Sequence, residues 1–594
     1  MENTATTAKL EKQHSQIDAE RVSPSPTPET VTKDLAAEPE QHVHAKTIVL
    51  LIAVVGMYFV QVVFSGGVGV LSGTITGVVG GGNRSTWLTA SIAICAGILS
   101  PPISQAADLW GRKWLLIGFS VCGGVGCLIA SRANNFGVLI AGQVIGALSG
   151  GAQPIIHAVA SEILPRKYRT FAQAATATAG GLGGIFGTLV AGALTKNDPN
   201  HFRIYYYIVT AMFWVGAVIV ALLYNPPLRE LQTKLTQWEK IGRLDWIGNA
   251  LFVPGLLLFS FALTSAGELY PWKNPKVVGP LVVGGVLLIA FILYEWLFTK
   301  EGILHHAVFT SGRNFPLAYM CFFIEGLVFF ATNRYYAYES VALYGKDTFS
   351  ASTYYAVGFI TLVVVTQLTG AYCSRSKTLR GPLVVGFTSF TIFAALMSSL
   401  TPSTRHNILG YVPFFGLGIG ITLNLLVATA QFPAPKELIS ITTGLVIGVR
   451  SIGGTVGLAI FSAIFSGTLN NNLASKVIKE TTAVGFDPQY LETLLSGLES
   501  HNSTLLDGIP GITSAIIAAA ELGEKEAYTL SFRYVWISVT VFTFLAAITC
   551  FFVINPKAEF NAHIDAPVET KNELARAGIV EKLHHQRHHQ GELA

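Results

Sequence analysis

Charge and cysteine are the two features that this sequence has little of. Only 12% of its 594 residues are charged, whereas roughly 25% is usual in soluble domains. So little charge cannot cover a soluble fold of this size with solvated side chains, which excludes a soluble globular protein. The six cysteines lie in or beside apolar stretches. None lies in a long polar segment, so we expect no disulfide framework.

Several functional signals are also absent. The chain has no Walker A sequence, which argues against transport driven by ATP. No nucleophile–base pair and no cluster of metal ligands stands out, so the sequence predicts no enzyme. The run His584-His585-Gln586-Arg587-His588-His589 contains histidines at a spacing that could hold a metal on a helix. We interpret it as part of a solvated cytosolic tail, 555–594, and assign neither a metal nor another cofactor.

The sequence contains many long apolar segments. Apolar residues make up 51% of the chain, and many segments exceed the roughly 18 residues needed to cross a bilayer. They predict an all-α polytopic membrane protein with fourteen spans. The predicted spans are 47–71, 86–107, 113–131, 136–158, 170–194, 204–224, 246–266, 276–298, 315–337, 351–373, 381–400, 407–430, 438–466 and 531–554.

The polar ends and loops predict the orientation. Residues 1–46 carry four prolines and no cleavable signal peptide, so we expect a disordered cytosolic tail. With that tail inside, the short inner loops hold fifteen Lys and Arg and the short outer loops hold eight. This bias predicts that both termini are cytosolic. The sequons at Asn83 and Asn502 then lie outside as glycosylation candidates, and 467–530 is a long outer loop.

A short charged loop between the second and third spans is the clearest motif. It reads Ser104-Gln-Ala-Ala-Asp108-Leu-Trp-Gly111-Arg112-Lys113, with an acid near the end of one helix and two cations opening the next. The loop resembles the G-x-x-x-D-x-x-G-R-K/R signature of the major facilitator superfamily, with Ser104 in place of the first Gly. We therefore interpret Asp108, Gly111, Arg112 and Lys113 as a gating loop. The alternative is a solvated loop whose charges only set the topology.

Two loops recur later in the chain. Residues 370–380 are a degraded copy of the loop, with Ser374 in place of Asp108, and 431–437 corresponds to 161–169. The repeat predicts two related six-helix bundles, and in the superfamily such repeats enclose a substrate site near the bilayer midplane. The predicted division is a tail, 1–46; a first bundle, 47–224; a cytosolic linker with two inserted helices, 225–314; a second bundle, 315–554; and a tail, 555–594.

Over residues 45–555, the order of these loops, the fourteen spans and the long loop before the last span are similar to fungal trichothecene efflux pumps. The related siderophore–iron transporters share this layout. The sequence departs from the superfamily's exporters at three places. Gln143 stands where many carry an Arg, Gly187-Thr188 stands where Gly-Pro is usual, and Gln61 lies near the place of an expected Asp. Coupling by those residues is therefore not expected.

Glu325 is the strongest single candidate for carrying a proton. It lies in the middle of the ninth span, and a carboxylate there costs several kcal/mol unless it is paired, protonated or turned into the bundle. Thr332 and Tyr336 lie on the same helical face. The alternative is a structural partner, with Arg450 of the thirteenth span as the expected cation.

A stripe of polar and small residues in the fourth span gives further candidates. His157 is the second proton-coupling candidate, because histidine titrates near neutral pH, although a satisfied buried histidine is the alternative. Small residues along the fifth span predict close helix packing. The substrate-cavity candidates are Gln143, Gln153, Thr332, Tyr336 and Arg450.

The resemblance implies a proton-coupled secondary transporter that exports a lipophilic small molecule, such as a fungal secondary metabolite, toxin or drug. The first alternative is proton-driven import of iron–siderophore complexes, and the second is a transporter-like membrane receptor. Its partners would be the substrate, protons and the lipid bilayer, without nucleic acid. We expect a monomer in the cell membrane, with a vacuolar or other organelle membrane as the alternative location.

Overall fold

The computed structural model describes residues 45–81, 84–226, 232, 235–267, 269–345, 348–404, 407–499 and 508–565. This part of the chain is helical, and its only β pairing is an isolated bridge between Ala266 and Tyr270. Within these described residues, fourteen helices are long and apolar enough to span a membrane, which confirms the predicted number. They are α1 (Ala45–Val79), α2 (Thr86–Trp110), α3 (Lys113–Ser131), α4 (Phe136–Glu162), α5 (Arg169–Thr195), α6 (Phe202–Leu223), α7 (Trp246–Ser265), α8 (Pro275–Leu297), α9 (Asn314–Tyr344), α10 (Thr348–Ser376), α11 (Arg380–Ser398), α12 (Asn407–Gln431), α13 (Ile439–Thr482) and α14 (Ser514–Cys550).

An even number of spans brings both ends of the bundle's chain to the same side. We call that side the inner end; it holds Ala45, the loop at Gly111 and Lys557, and the charge bias predicts that it faces the cytosol. The opposite side is the outer end. Helices α1–α6 are called the N-terminal half and α9–α14 the C-terminal half.

The described residues of the outer segment, 467–499 and 508–530, are more ordered than a loop. Helix α13 continues to Thr482 and α14 begins at Ser514, so both project beyond the predicted spans. Helix Leu491–Glu499 lies between them. The segment closes around a small apolar core, so 512–520 is packed rather than free. That core consists of Val477, Phe486, Leu494, Leu498, Ile509, Ile516 and Ala520.

Helix α4 is interrupted in the middle, and the sequence explains the break. A 3₁₀ turn, Leu148–Ala152, separates Phe136–Ala147 from Gln153–Glu162. Pro154 stands in the first turn of the second piece, where its missing N–H costs least. Gln153 opens the second piece, and His157 lies about one turn further along it.

Small residues bring the two halves together along two helix pairs, α5 with α10 and α2 with α13. A Cβ added to Gly184 of α5 would lie 2.8 Å from the Phe359 ring of α10. On the other flank, a Cβ on Gly448 of α13 would lie 3.2 Å from Pro101 of α2. These contacts confirm that small residues of the fifth span permit close helix approach. Helices α7 and α8 pack on each other, and α7 contacts α2 and α13.

Candidate functional site

An ion pair between Glu325 and Arg450 lies at the centre of the candidate site. Arg450 Nε lies 2.5 Å from Glu325 Oε2 and Nη2 lies 3.1 Å from Oε1, so the pair is bidentate. Glu325 is fully buried and Arg450 is 8% exposed. The guanidinium carbon lies 4.5 Å from the centre of the Phe329 ring and 5.8 Å from that of Phe322. The two charges therefore neutralise each other against aromatic surface.

Glycines at the crossing of α9 and α13 place this pair. A Cβ on Gly326 would collide with the backbone carbonyl of Arg450, and one on Gly453 would collide with that of Phe323. The missing side chains let the two backbones approach closely at the level of the charges. The close approach leaves the long Arg450 side chain directly opposite the carboxylate of Glu325.

Three residues of the N-terminal half complete the site. Tyr58 of α1 meets His157 of α4 edge to face, with ring centres 5.2 Å apart. Gln153 Nε2 donates to the Tyr58 hydroxyl at 3.3 Å. The charge of Arg450 is near enough to act on both Tyr58 and His157. The candidate site therefore draws residues from both halves.

The hydrogen bonds of His157 fix its neutral tautomer. Gln173 Nε2 donates to the His157 carbonyl at 2.8 Å, which leaves Gln173 Oε1 as the acceptor 2.7 Å from His157 Nδ1. Nδ1 must then carry the hydrogen and Nε2 a lone pair. Within the described residues, Nε2 is buried without a hydrogen-bond partner. It can accept a hydrogen bond or a proton.

Tyr355 of α10 supplies the matching polar group from the other half. Its hydroxyl is buried and has no hydrogen-bond partner among the described residues. The centre of its ring lies 5.5 Å from that of the Tyr336 ring and 5.1 Å from that of the Phe359 ring. Arg450 acts on it electrostatically. Sequence reasoning missed both Tyr58 and Tyr355, because tyrosines are common in this chain and nothing in their spacing distinguishes these two.

The remaining cavity candidates lie in packed surroundings. Gln143 donates to the Leu88 carbonyl at 3.1 Å and accepts from the Tyr206 hydroxyl at 3.0 Å. Both hydrogen bonds of its amide are therefore formed within the N-terminal half. Thr332 bonds back to the Val328 carbonyl of its own helix. Tyr336 donates to the Ile408 carbonyl at 3.2 Å and only its ring reaches Tyr355.

A second buried charge cluster lies at the inner end and contains Asp108, Arg112, Glu162 and Ser440; we call it the inner gate, after the predicted gating loop. Arg112 forms a close ion pair with Glu162 at the end of α4, lies 3.5 Å from Asp108 and donates to Ser440 Oγ of α13 at 2.6 Å. Burial alone would lower the pKa of the Arg112 guanidinium, but Glu162 and Asp108 raise it above its ordinary value. The predicted loop thus joins the two halves through Arg112.

The other two residues of the loop have separate tasks. Gly111 has a φ of +92°, a conformation that side chains disfavour, and it turns the chain from α2 into α3. Lys113 Nζ lies 2.5 Å from Asn225 Oδ1, on the surface of the N-terminal half. Sequence reasoning missed Glu162 and Ser440, because neither lies in the motif. Their polarity at helix ends was the only available signal.

A chain of hydrogen bonds connects His157 with the C-terminal half. Gln173 Nε2 donates to Ser161 Oγ at 2.6 Å, and Ser161 donates to Gln431 Oε1 at 2.6 Å. Gln431 belongs to the C-terminal half and donates to Thr443 at 2.8 Å. A change in the hydrogen bonding of His157 can therefore reach the contact between the halves.

Two further buried acids were not predicted. Glu339 of α9 accepts from Trp536 Nε1 of α14 at 2.7 Å, inside the C-terminal half. Glu295 of α8 accepts from the Ile303 N–H at 3.0 Å and the Leu304 N–H at 3.1 Å, so it folds the linker back on that helix. The glycosylation candidates Asn83 and Asn502, and the tails 1–44 and 566–594, lie outside the described residues.

Comparison with known proteins adds independent information. Residues 50–458 match the family model described as Major Facilitator Superfamily. The MFS-type efflux transporter pyiT of Pyricularia grisea is 28% identical over 467 residues, 76% of this chain and 72% of that protein. The Trichothecene efflux pump TRI12 of Fusarium sporotrichioides is 22% identical over 453 residues, 73% of each chain.

Among solved structures, a bacterial homolog to the human lysosomal transporter Spinster, inward-facing and unoccupied, aligns with a TM-score of 0.52 at 15% identity. The alignment covers 86% of this chain and 98% of that one. At this identity the likeness shows the fold alone.

Proposed function

The chain belongs to the Major Facilitator Superfamily, and from this premise we propose that it is a proton-coupled exporter of uncharged, lipophilic small molecules of the fungal secondary-metabolite kind. Membership and the fourteen spanning helices make it a multi-pass membrane transporter and not an enzyme. Relatives named as efflux transporters support the direction of transport. The observation that carries the proposal is the buried Glu325–Arg450 pair of the C-terminal half, whose arginine acts electrostatically on Tyr58 and His157 of the N-terminal half.

The chemistry of the site supports an uncharged substrate. The pair is internally neutral, so a charged molecule would enter without a counter-ion and lose its hydration. Aromatic rings of Phe322, Phe329 and Tyr355 favour an apolar body. The free acceptor His157 Nε2 suits a substrate hydroxyl, and the Tyr355 hydroxyl suits a carbonyl or ether oxygen. An oxygenated apolar molecule fits all three requirements.

Glu325 supplies the proposed coupling. When its carboxylate is ionised, it holds Arg450 against the rings; when it binds a proton, Arg450 loses its buried counter-charge, which is unfavourable. The guanidinium must then find other acceptors or water. The protonated and deprotonated proteins therefore present different sites to a substrate, which is what alternate binding of proton and substrate requires.

Purified protein in liposomes tests the proposal. With the interior acidified, an added substrate that exchanges for protons should dissipate the pH gradient, read with an internal pH-sensitive dye. The probes are hydroxylated terpenes and aromatic polyketides, with a cationic and an anionic dye for comparison. Dissipation by uncharged probes, abolished in Glu325→Gln, is the expected result.

Two other results would lead elsewhere. If only charged probes dissipate the gradient, the proposed substrate class is wrong although transport stands. If ferric siderophores enter together with protons and the uncharged probes do nothing, the protein is an importer.

A further inference from the structure

The first residues after α14 form a strap across the inner end. We define the C-terminal strap as residues 555–565. It starts on the C-terminal half, where Asn555 Oδ1 accepts from the backbone N–H groups of Leu379 at 2.8 Å and Arg380 at 3.0 Å. These N–H groups open α11 and would otherwise lack partners. The strap is thus attached firmly at its beginning.

The strap then crosses to the N-terminal half. The Lys167 N–H donates to the Asn561 carbonyl at 2.8 Å, and the Arg166 N–H donates to the His563 carbonyl at 2.9 Å. Both donors belong to the loop between α4 and α5. Two parallel backbone contacts fix the register of the strap on this loop without depending on side-chain identity.

Charge strengthens the crossing. The Asp565 side chain is 1% exposed, lies 2.8 Å from Arg166 Nη2 and forms a second ion pair with buried Arg169. Arg169 Nη1 also donates to the Gln431 carbonyl of α12 at 2.9 Å. Asp565 therefore neutralises an arginine that reaches across the junction of the halves. Glu559 pairs with Arg166 at 2.6 Å, but its side chain is 39% exposed, so water weakens that bond.

An aromatic contact completes the strap. Phe560 is buried, and its ring centre lies 4.5 Å from that of Phe432, which follows α12. The Arg169 guanidinium carbon lies 5.3 Å from the centre of the same Phe432 ring. Phe432 therefore contacts both the strap, through Phe560, and the first residue of α5, Arg169.

We propose that the C-terminal strap is a latch on the inner gate, which holds the inner ends of the halves together and detaches from Arg166 and Arg169 whenever the site opens inward. Inward opening separates the loop after α4 from Gln431 and Phe432. The attachment at Asn555 keeps the strap on the C-terminal half during that movement. Asp565 then leaves its arginines, and all three charges become hydrated.

Cysteine accessibility tests the latch. Thr442 of α13 is buried, two positions beyond Ser440 of the inner gate. In protein carrying Thr442→Cys, a membrane-impermeant maleimide should label residue 442 at least tenfold faster after Asp565→Asn than with the native strap, measured by mass spectrometry at that residue. Glu559→Gln is the matched control, because its ion pair is exposed, and should change the rate less than threefold.

A crosslink tests the same contact in the opposite direction. Lys167→Cys with Asn561→Cys should form a disulfide, since their backbones are hydrogen-bonded. Oxidation should slow labelling at residue 442 at least tenfold, reduction should restore it, and Asp565→Asn should have no effect in the oxidised protein.

The labelling needs no substrate and no proton gradient, so its outcome is independent of the proposed function. The Asp565→Asn protein must elute as a single folded species. Equal labelling rates in that protein and in the protein with the native strap would overturn the proposal. An unchanged labelling rate at residue 442 after crosslinking would also overturn the proposal. The crosslinking experiment does not need the Asp565→Asn variant, so it tests the latch even if that variant does not fold.

Discussion

Replacing Glu325 by Gln removes a charge while keeping the side-chain volume. Arg450 is 8% exposed and packed on Phe329, so its charge is largely withdrawn from water. Leaving one member of a buried ion pair unpaired costs about 3–5 kcal/mol. Either single variant, Glu325→Gln or Arg450→Gln, should therefore lower the free energy of unfolding by about that amount.

The double variant separates stability from transport. Removing both members of a buried pair is often close to neutral, so Glu325→Gln with Arg450→Gln should recover most of the lost stability. Thermal unfolding in detergent, followed by the fluorescence of the nine tryptophans, measures this recovery. Concentrative transport should stay lost in the double variant, because no residue of the pair can then exchange a proton.

Substrate exchange without a gradient is the positive control, since it requires binding and alternating access but no coupling. It should survive in the double variant. If Glu325→Gln is as stable as the native protein and still concentrates substrate against its gradient, the reasoning about this pair is wrong. His157 then becomes the next coupling candidate.

Three further predictions follow from the site, the gate and the topology. His157→Leu should remove one hydrogen bond to a hydroxylated substrate, worth about 0.5–1.5 kcal/mol, and so raise the KM for that substrate. The KM for the O-methyl ether of the same substrate should not change. Equal changes in the two KM values would refute the acceptor role of His157. Asp108→Asn should lower flux at a normal protein level, and Glu162→Gln should lower it further, because Glu162 holds the shorter ion pair with Arg112; full activity of Asp108→Asn would leave a merely topogenic loop. A tag within 467–530 should be accessible from outside intact cells, or from the lumen of an organelle, and a tag at residue 20 should not; cytosolic exposure of 467–530 would contradict the orientation.

Local sequence was sufficient for the fold class and for the position of the charged loop. The number of spans follows from apolar length, which depends on consecutive residues alone. The loop from Asp108 to Lys113 is likewise local, and Gly111 carries the positive φ that its residue type permits. The predicted limits differ most where helices continue past the apolar segment, as α13 does to Thr482, because hydropathy alone does not detect a polar helix. The last span was predicted to end at 554, whereas α14 ends at Cys550.

Tertiary structure decided which side chains meet. Glu325 and Arg450 are 125 positions apart, and their bond depends on glycines that let α9 and α13 approach closely. The Glu325–Arg450 pair, proposed from sequence as an alternative, is thus present. The Gln143 side chain instead forms its hydrogen bonds within the N-terminal half. The strap, assigned from sequence to a solvated tail, is held by Arg166 and Arg169 across the inner end. Span number follows from the sum of local hydrophobicity, but ion pairs between helices depend on helix rotation and depth, which only packing sets.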